Sequence, residues 1–386
     1  MLASAEGILT THIGSLQRDE ALADLLVTEG AGKPIDRRRL AELAERDMDR
    51  VVANQLAAGI DIGNDGEVGR SSFFGYVAGR MRGFGGTSRR RPILDMQHFP
   101  QWWAGLQKRG VRRINAYGQP AAIGEVHYDD LSGVAEECAA FARSLGRQKG
   151  RFSETFMTAV APGFLACAME NQHYASHEAY VFALARELRK EYEYIVGQGH
   201  LLQIDSPDFG IESGGFFQDH TKAQFLAVME MHVAALNEAL ANVPADRVRF
   251  HACFGNRDSP HFFDLPYDDL LPPMYGVKAG ALALPFANPR HAHEIDYLKK
   301  LPLPDGMLLA VGVIETTHNY VEHPLLVAER LERAVRAVGD RTRVIACTDC
   351  GFGTLAGDSF VTPDVTWAKL KAMREGAEIA SKRLWG

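Results

Sequence analysis

Residues 247–254 read RVRFHACF, an apolar run that ends in an imidazole and a thiol two positions apart, His251 and Cys253. In an extended strand, residues i and i+2 point the same way, so these two side chains share one face. Seven other stretches have the same form, apolar through the middle and polar at the end. They are ILTTHIGS (8–15), IDIGNDGE (60–67), TFMTAVAP (155–162), HLLQIDSP (200–207), ALALPFAN (281–288), MLLAVGVIE (307–315) and RVIACTDC (343–350). Helical spacing fills most of the intervals. In 37–59, Leu40, Leu43, Met48, Val51, Val52 and Leu56 fall on one broad face, and 177–199, 223–243, 325–339 and 365–384 repeat the pattern. Eight strands alternating with helices predict an α/β protein, a (β/α)8 TIM barrel. A doubly wound open sheet shares the alternation; the strand count and the polar strand ends favour the barrel.

Residues 73–130 break the rhythm, with short extended patterns rich in Gly, Arg, Trp and Tyr. They predict a β-hairpin-containing excursion after the second strand, folded over the barrel mouth, within one catalytic domain spanning 1–386. GFGG at 83–86 is too short for a phosphate loop. Arg89-Arg90-Arg91 reads first as a solvated turn and second as a substrate-anion contact.

Composition narrows the function classes. The 386 residues carry 42 Lys+Arg against 49 Asp+Glu, a formal charge of −7, which argues against a nucleic-acid surface. No run approaches the roughly 18 apolar residues of a membrane span, and the N-terminus lacks a signal-peptide pattern. Cysteines stand at 138, 167, 253, 347 and 350, an odd count in a long chain, so reduced thiols in a cytoplasmic protein are expected. A homo-oligomer is compatible with the sequence but not required by it.

Catalytic residues of a barrel gather at the C-terminal strand ends. Here those ends carry Ser15, Glu67, Asp205, His251 with Cys253, Glu315, and Asp349 with Cys350. Turns begin at strand ends, which accounts for Ser15 or Asp205 taken singly. One His and two Cys converging on a mouth are a donor set that suits zinc above other common ions. Cys347 and Cys350 form a C-x-x-C, but the thioredoxin-like frame is absent. At an odd spacing, Cys347 faces away from Cys350 into the core.

These motifs resemble the cobalamin-independent methionine synthases, specifically their C-terminal catalytic barrel and its short stand-alone relatives. The resemblance runs through Thr10-Thr11-His12-Ile13-Gly14-Ser15, Asp65-Gly66-Glu67, Gln203-Ile204-Asp205-Ser206-Pro207, His251-Ala252-Cys253 and Asp349-Cys350-Gly351. It implies zinc held by His251, Cys253 and Cys350, with Ser15, Glu67 and Asp205 on the amino-acid part of homocysteine. It implies transfer of a methyl or other alkyl group from a small-molecule donor to a thiol, through a zinc-bound thiolate. His318, after Glu315, matches approximately the family's catalytic histidine, and His12 is expected near the substrate at the same mouth. Two departures stand out. The strand after His-x-Cys ends Pro285-Phe286-Ala287-Asn288 without the family's carboxylate ligand, and Glu294 is a poor replacement. No folate-contact motif carries over.

The form His-x-Cys-aromatic-Gly-Asn and the string Ala287-Asn288-Pro289-Arg290-His291 look like the short branch that includes the epoxyalkane:coenzyme M transferases. Epoxide opening by another thiol is therefore an alternative, and Arg89–Arg91 would suit a sulfonate. A uroporphyrinogen-decarboxylase-like barrel and an inactive metabolite-binding barrel are further alternatives, the former having no use for a His/Cys/Cys set. Glu322 and His323 read best as loop structure.

Overall fold

The structure, a computed structural model, describes residues 1–108 and 114–386; residues 109–113, inside the expected excursion, lie outside the described residues. Among the described residues nine strands form in chain order: β1 (Ile62–Gly63), β2 (Met81–Gly85), β3 (Ala121–Tyr128), β4 (Glu154–Val160), β5 (Leu201–Asp205), β6 (Val248–His251), β7 (Ala281–Pro285), β8 (Leu308–Ile314) and β9 (Val344–Thr348). Seven of them make one parallel sheet in the order β1-β4-β5-β6-β7-β8-β9. Its two edges meet through the N-terminal segment. Thr11 N donates to Ala346 O at 2.8 Å, Ala346 N to Leu9 O at 2.8 Å, and Ile62 N to Thr10 O at 3.0 Å. The sheet is thus an α/β barrel, with residues 9–11 bridging first strand to last.

Side-chain alternation divides the core in two. Ala281 and Ala283, Leu308 and Ala310, and Ile345 and Cys347 face the same way and pack with Ile13, Ile62, Phe156 and Leu201 in a small inner cluster. The intervening residues, such as Leu282, Leu284, Leu309 and Val311, join the large cluster beneath the helices. Cys347 is fully buried in the inner cluster, the core role expected of it. Arg249 crosses the interior: its guanidinium donates to Gln203 Oε1 (2.7 Å), Thr11 Oγ1 (2.9 Å) and the His12 carbonyl (2.9 Å) and lies 4.0 Å from the Phe156 ring centroid. These bonds satisfy a buried cation and pin the bridging segment to β5 and β6.

The long helices fall where periodicity placed them, at Arg37–Ala57, His177–Gly197, Lys222–Ala239, Pro324–Val338 and Pro363–Trp385. Every strand is shorter than its predicted run, and two are cut back most. The run 60–67 is cut to two residues because Asn64 Oδ1 accepts from Gly66 N (2.8 Å) and Asp65 Oδ1 from Glu67 N (3.0 Å), bending the chain into a turn. The run 8–15 is reduced to bridges, since Gly14 adopts φ +129° and turns Ser15 toward the mouth.

The excursion contains antiparallel β2 and β3, with Met81 opposite Tyr128 and Gly85 opposite Ala121. The connection runs through helices at Leu94–His98 and Pro100–Lys108, so the pair is not closed by a tight hairpin turn. A buried charge network anchors it. Arg70 and Arg80 both bind Glu137, Arg80 also reaches Glu191 (3.3 Å), and the Tyr76 and Tyr128 hydroxyls donate to Glu191.

The loop after β8 is also held by a buried pair. Lys369 Nζ lies 2.9 Å from Glu322 Oε2, both side chains being inaccessible, and Glu322 Oε1 accepts from Glu315 N at 2.8 Å. His323 caps the next helix by accepting from Leu325 N at 3.2 Å. Both residues therefore serve the loop. Lys369→Met leaves the Glu322 carboxylate buried without a counter-charge and is expected to cost about 3–5 kcal/mol in urea unfolding; a loss below about 1 kcal/mol would contradict this account.

Candidate metal and substrate site

At the C-terminal ends of the barrel strands lies a cleft enclosing about 970 Å³ of space continuous with solvent. Ser15, Glu67, Asp205, His251, Cys253 and Cys350 all line it. Six of the nine sequence-selected residues thus converge, although they come from five separate strand ends. Phe73, Phe74, Ile93 and Tyr117 of the excursion add apolar wall, together with Phe164.

His251 ends β6, and its Nδ1 donates to Ala283 O at 3.0 Å. That bond fixes the tautomer with the lone pair on Nε2, which is buried and has no hydrogen-bond partner. The Cys253 and Cys350 sulfurs are 4.0 Å apart, too far for a disulfide. The three donor atoms lie within 4.8 Å of one another. Tetrahedral sulfur ligands about 2.3 Å from zinc would stand about 3.8 Å apart, so the spacing and the N/S donors fit that ion. The two thiols share a hydrogen bond, which pulls Cys253 below the usual thiol range and lifts Cys350 above it.

Local packing holds this set in place. Gly210 allows close backbone approach: a Cβ there would collide with the Cys253 carbonyl. Asn256 Nδ2 donates to Gly351 O (2.7 Å) while its Oδ1 accepts from Thr316 Oγ1 (2.9 Å), clamping the two cysteine loops together. Asp349 accepts from the backbone N–H groups of Phe286, Ala287 and Asn288 at 2.8–3.0 Å and shapes the end of β7. Glu294 is committed elsewhere, to His291 Nδ1 (3.0 Å) and Tyr267 N (2.6 Å), and supplies no fourth ligand.

Glu67 and Asp205 are the electrostatic features of the cleft. Burial, then the nearby Asp205 charge, pushes the Glu67 carboxyl up to about 8. Its Oε2 is buried without a partner, and its backbone is held at φ +54°. Burial likewise raises Asp205 to about 6, although Gln203 Nε2 donates to it at 2.8 Å. Two carboxyls that resist ionisation in a cleft are matched by an incoming cation.

Three expected residues are not brought to this cleft. His12 is turned inward, its Nε2 2.8 Å from Gln55 Oε1 and its Nδ1 accepting from Gly14 N at 3.2 Å, and burial lowers it to about 4. His318 is half exposed and stacked on Tyr320. Glu315 is buried and caps its own turn, accepting from Thr317 N and His318 N at 2.9 Å; it lines only a small side pocket beyond the cysteines. The arginine run also divides. Arg89 N bonds Glu170, Arg91 pairs outward with Asp219, and only Arg90 reaches the cleft, neutralised by Glu212. Arg257 lines the cleft and donates to the Tyr117 hydroxyl at 3.1 Å.

Among the described residues two histidine groups stayed hidden in the sequence because each pairs side chains from distant parts of the chain. Asp208, His232 and His177 form a hydrogen-bonded row (2.7 and 2.9 Å) near Cys167. His261, Asp264 and His291 form another (2.8 and 3.0 Å).

No protein-family model matches the chain. A methionine synthase of Thermococcus kodakarensis is 26% identical over 359 residues, covering 90% of this chain and 88% of its own. A methionine synthase of Saccharolobus solfataricus is 24% identical over 382 residues, covering 97% and 95%. Among solved structures, a B12-independent methionine synthase from Shewanella sp. W3-18-1 in complex with selenomethionine superposes with a TM-score of 0.73 at 20% identity, covering 98% of this chain and 99% of that one. A putative vitamin-B12 independent methionine synthase from Listeria monocytogenes gives a TM-score of 0.66 at 15% identity.

Proposed function

We propose that this chain is a methionine-synthase-like barrel that transfers a methyl group to a thiol, with homocysteine as the favoured acceptor and zinc as the metal; its similarity to methionine synthases along nearly its whole length supports the reading. The observation that carries the reading is the unpartnered, buried Nε2 of His251 facing a cleft it shares with Cys253 and Cys350. We read the fold as the eight-stranded (β/α)8 form, with residues 9–11 as its eighth strand, and 1–386 as one catalytic domain with 73–130 as its excursion over the mouth.

Bound by His251, Cys253 and Cys350, zinc would supply the charge that deprotonates a substrate thiol, whose free pKa is about 8.5. With these three residues as protein donors, the substrate sulfur would complete the donor set. Glu67 and Asp205 bind the homocysteine ammonium, which stabilises their ionised forms and offsets the penalty of burial. Ser15, at the turn made by Gly14, donates to the carboxylate. On the donor side the cleft offers aromatic walls and the Arg257 guanidinium, which suit a flat donor carrying negative charge.

The test is product analysis. Zinc-loaded protein supplied with homocysteine and methyl donors, folate-borne and simpler, is expected to form methionine detectable by mass spectrometry. Zinc-dependent opening of epoxides by other thiols, with no methionine formed, would replace this reading with the alkyl-transferase alternative.

A further inference from the structure

The reaction has a proton to place, and the geometry points to His261 as the catalytic residue that takes it from the acceptor thiol and returns it to the leaving group. This rests on the thiol-transfer reading above and adds a residue to it. His261 lines the side pocket that also contains Cys253, Cys350 and Glu315, between the ends of β6, β7 and β8. His318, the histidine suggested by sequence, lines neither this pocket nor the main cleft.

His261 is built as a proton carrier. Its Nδ1 is 2.8 Å from Asp264 Oδ2, leaving Nε2 as the basic atom. The same Asp264 oxygen is 3.0 Å from His291 Nε2, and His291 Nδ1 is 3.0 Å from Glu294 Oε1. Carboxylate and imidazole therefore alternate over four residues, so a charge on His261 is met by a fixed counter-charge. Burial alone would raise Asp264, but the bonds from His261 and His291 outweigh it and hold the carboxyl below its usual range. Burial alone would lower His291, yet Asp264 and Glu294 outweigh it and hold this imidazole above its usual range. The Phe254 ring, one residue after Cys253, stacks on His291 at 3.6 Å and 4°, joining the row to the cysteine loop.

The backbone gives independent support. His261 sits at φ +53°, a left-handed conformation that residues with a Cβ adopt only at a cost. Arg290 Nε holds its carbonyl at 3.0 Å, and Asp95 Oδ1 accepts from the next N–H, Phe262, at 3.2 Å. A position that Gly or Asn would occupy with less strain is instead built around an imidazole.

The chemistry balances without a co-reactant. The thiol S–H bond breaks and its proton goes to His261 Nε2. The sulfur lone pair forms the new S–C bond while the bond between carbon and leaving group breaks. The electron pair departs with the leaving group, and His261 returns the proton to it. The sum is RSH + CH3–X → RS–CH3 + HX.

His261→Asn tests this, because Asn tolerates positive φ and the fold is retained. In zinc-loaded protein at pH 7.5, proton release on homocysteine binding is read by calorimetry in buffers of different ionisation enthalpy. The variant is expected to release about one proton more per thiol bound than the wild type. Its kcat is expected to fall by roughly 10²–10⁴-fold, with zinc content unchanged and turnover partly restored by added imidazole. Equal proton release by both forms, or an unchanged kcat, overturns the inference while leaving the metal site standing. Loss of zinc in His261→Asn also overturns it, assigning His261 a structural role. Retention of zinc by Cys350→Ser would instead overturn the reading beneath it.

Discussion

Glu67→Gln is expected to resist denaturant better than the wild type at pH 8 and yet to bind homocysteine at least about tenfold more weakly. In the native state burial and the Asp205 charge hold the Glu67 carboxyl up to about 8, against 4.5 for an unperturbed one. Between those values the folded protein keeps a proton that the unfolded chain has lost. Wild-type stability therefore falls as pH rises through that window, by an amount on the order of 4 kcal/mol at its upper end. A glutamine has no proton to lose, so its advantage should be small below pH 4.5 and largest near pH 8. Urea titrations of both proteins across this range would show it; a pH-independent difference would contradict the electrostatic account. The binding loss follows from the proposed reading, in which the same carboxylate, once ionised, would meet the homocysteine ammonium. Homocysteine affinity of the wild type should accordingly rise with pH between about 6 and 8, where Asp205 and then Glu67 give up their protons.

Cys253→Ser is expected to lower methyl transfer by on the order of 10³-fold or more, with loss of bound zinc. A hydroxyl is a far poorer zinc ligand than a thiolate, and the side chain cannot move to compensate. Its backbone is wedged against Gly210, and Asn256 ties its loop to Gly351. The fold should survive, since serine is of similar size. Cys347→Ser provides the control. That sulfur lies in the inner barrel cluster, so its replacement should cost stability and leave zinc in place. Parallel metal analysis and rate measurement on both variants separate the two roles. Undiminished transfer by zinc-free Cys253→Ser would refute the chemistry proposed.

What the sequence made legible follows from where each signal sits. The strands at 154–160, 201–205, 281–285 and 308–314 fall within or beside their predicted runs because they are buried on both faces and bounded by polar turns. The convergence of Ser15, Glu67, Asp205, His251, Cys253 and Cys350 was readable because a barrel brings all C-terminal strand ends to one mouth. The direction of a side chain beyond the strand end was not. His12 and Ser15 are three residues apart, but the turn at Gly14 sends one inward and the other to the cleft. The triple arginine reads as one charge run, yet the guanidinium groups of Arg90 and Arg91 pair with different acids, Glu212 and Asp219, while Arg89 binds Glu170 through its backbone N–H. His261 lies in a loop, away from any strand pattern, and its partner His291 is thirty residues further on, so only the folded chain brings them together. Glu322 and His323, taken as loop structure, are engaged in a buried ion pair and a helix cap.

The central claim is that His251, Cys253 and Cys350 form one metal centre. Elemental analysis of the purified wild type beside Cys350→Ser tests it most directly. About one zinc per chain, lost in the variant, is the predicted result. A wild type that neither retains zinc after purification without chelators nor takes it up on addition would contradict the account, and would return the decarboxylase-like and metabolite-binding barrels to consideration.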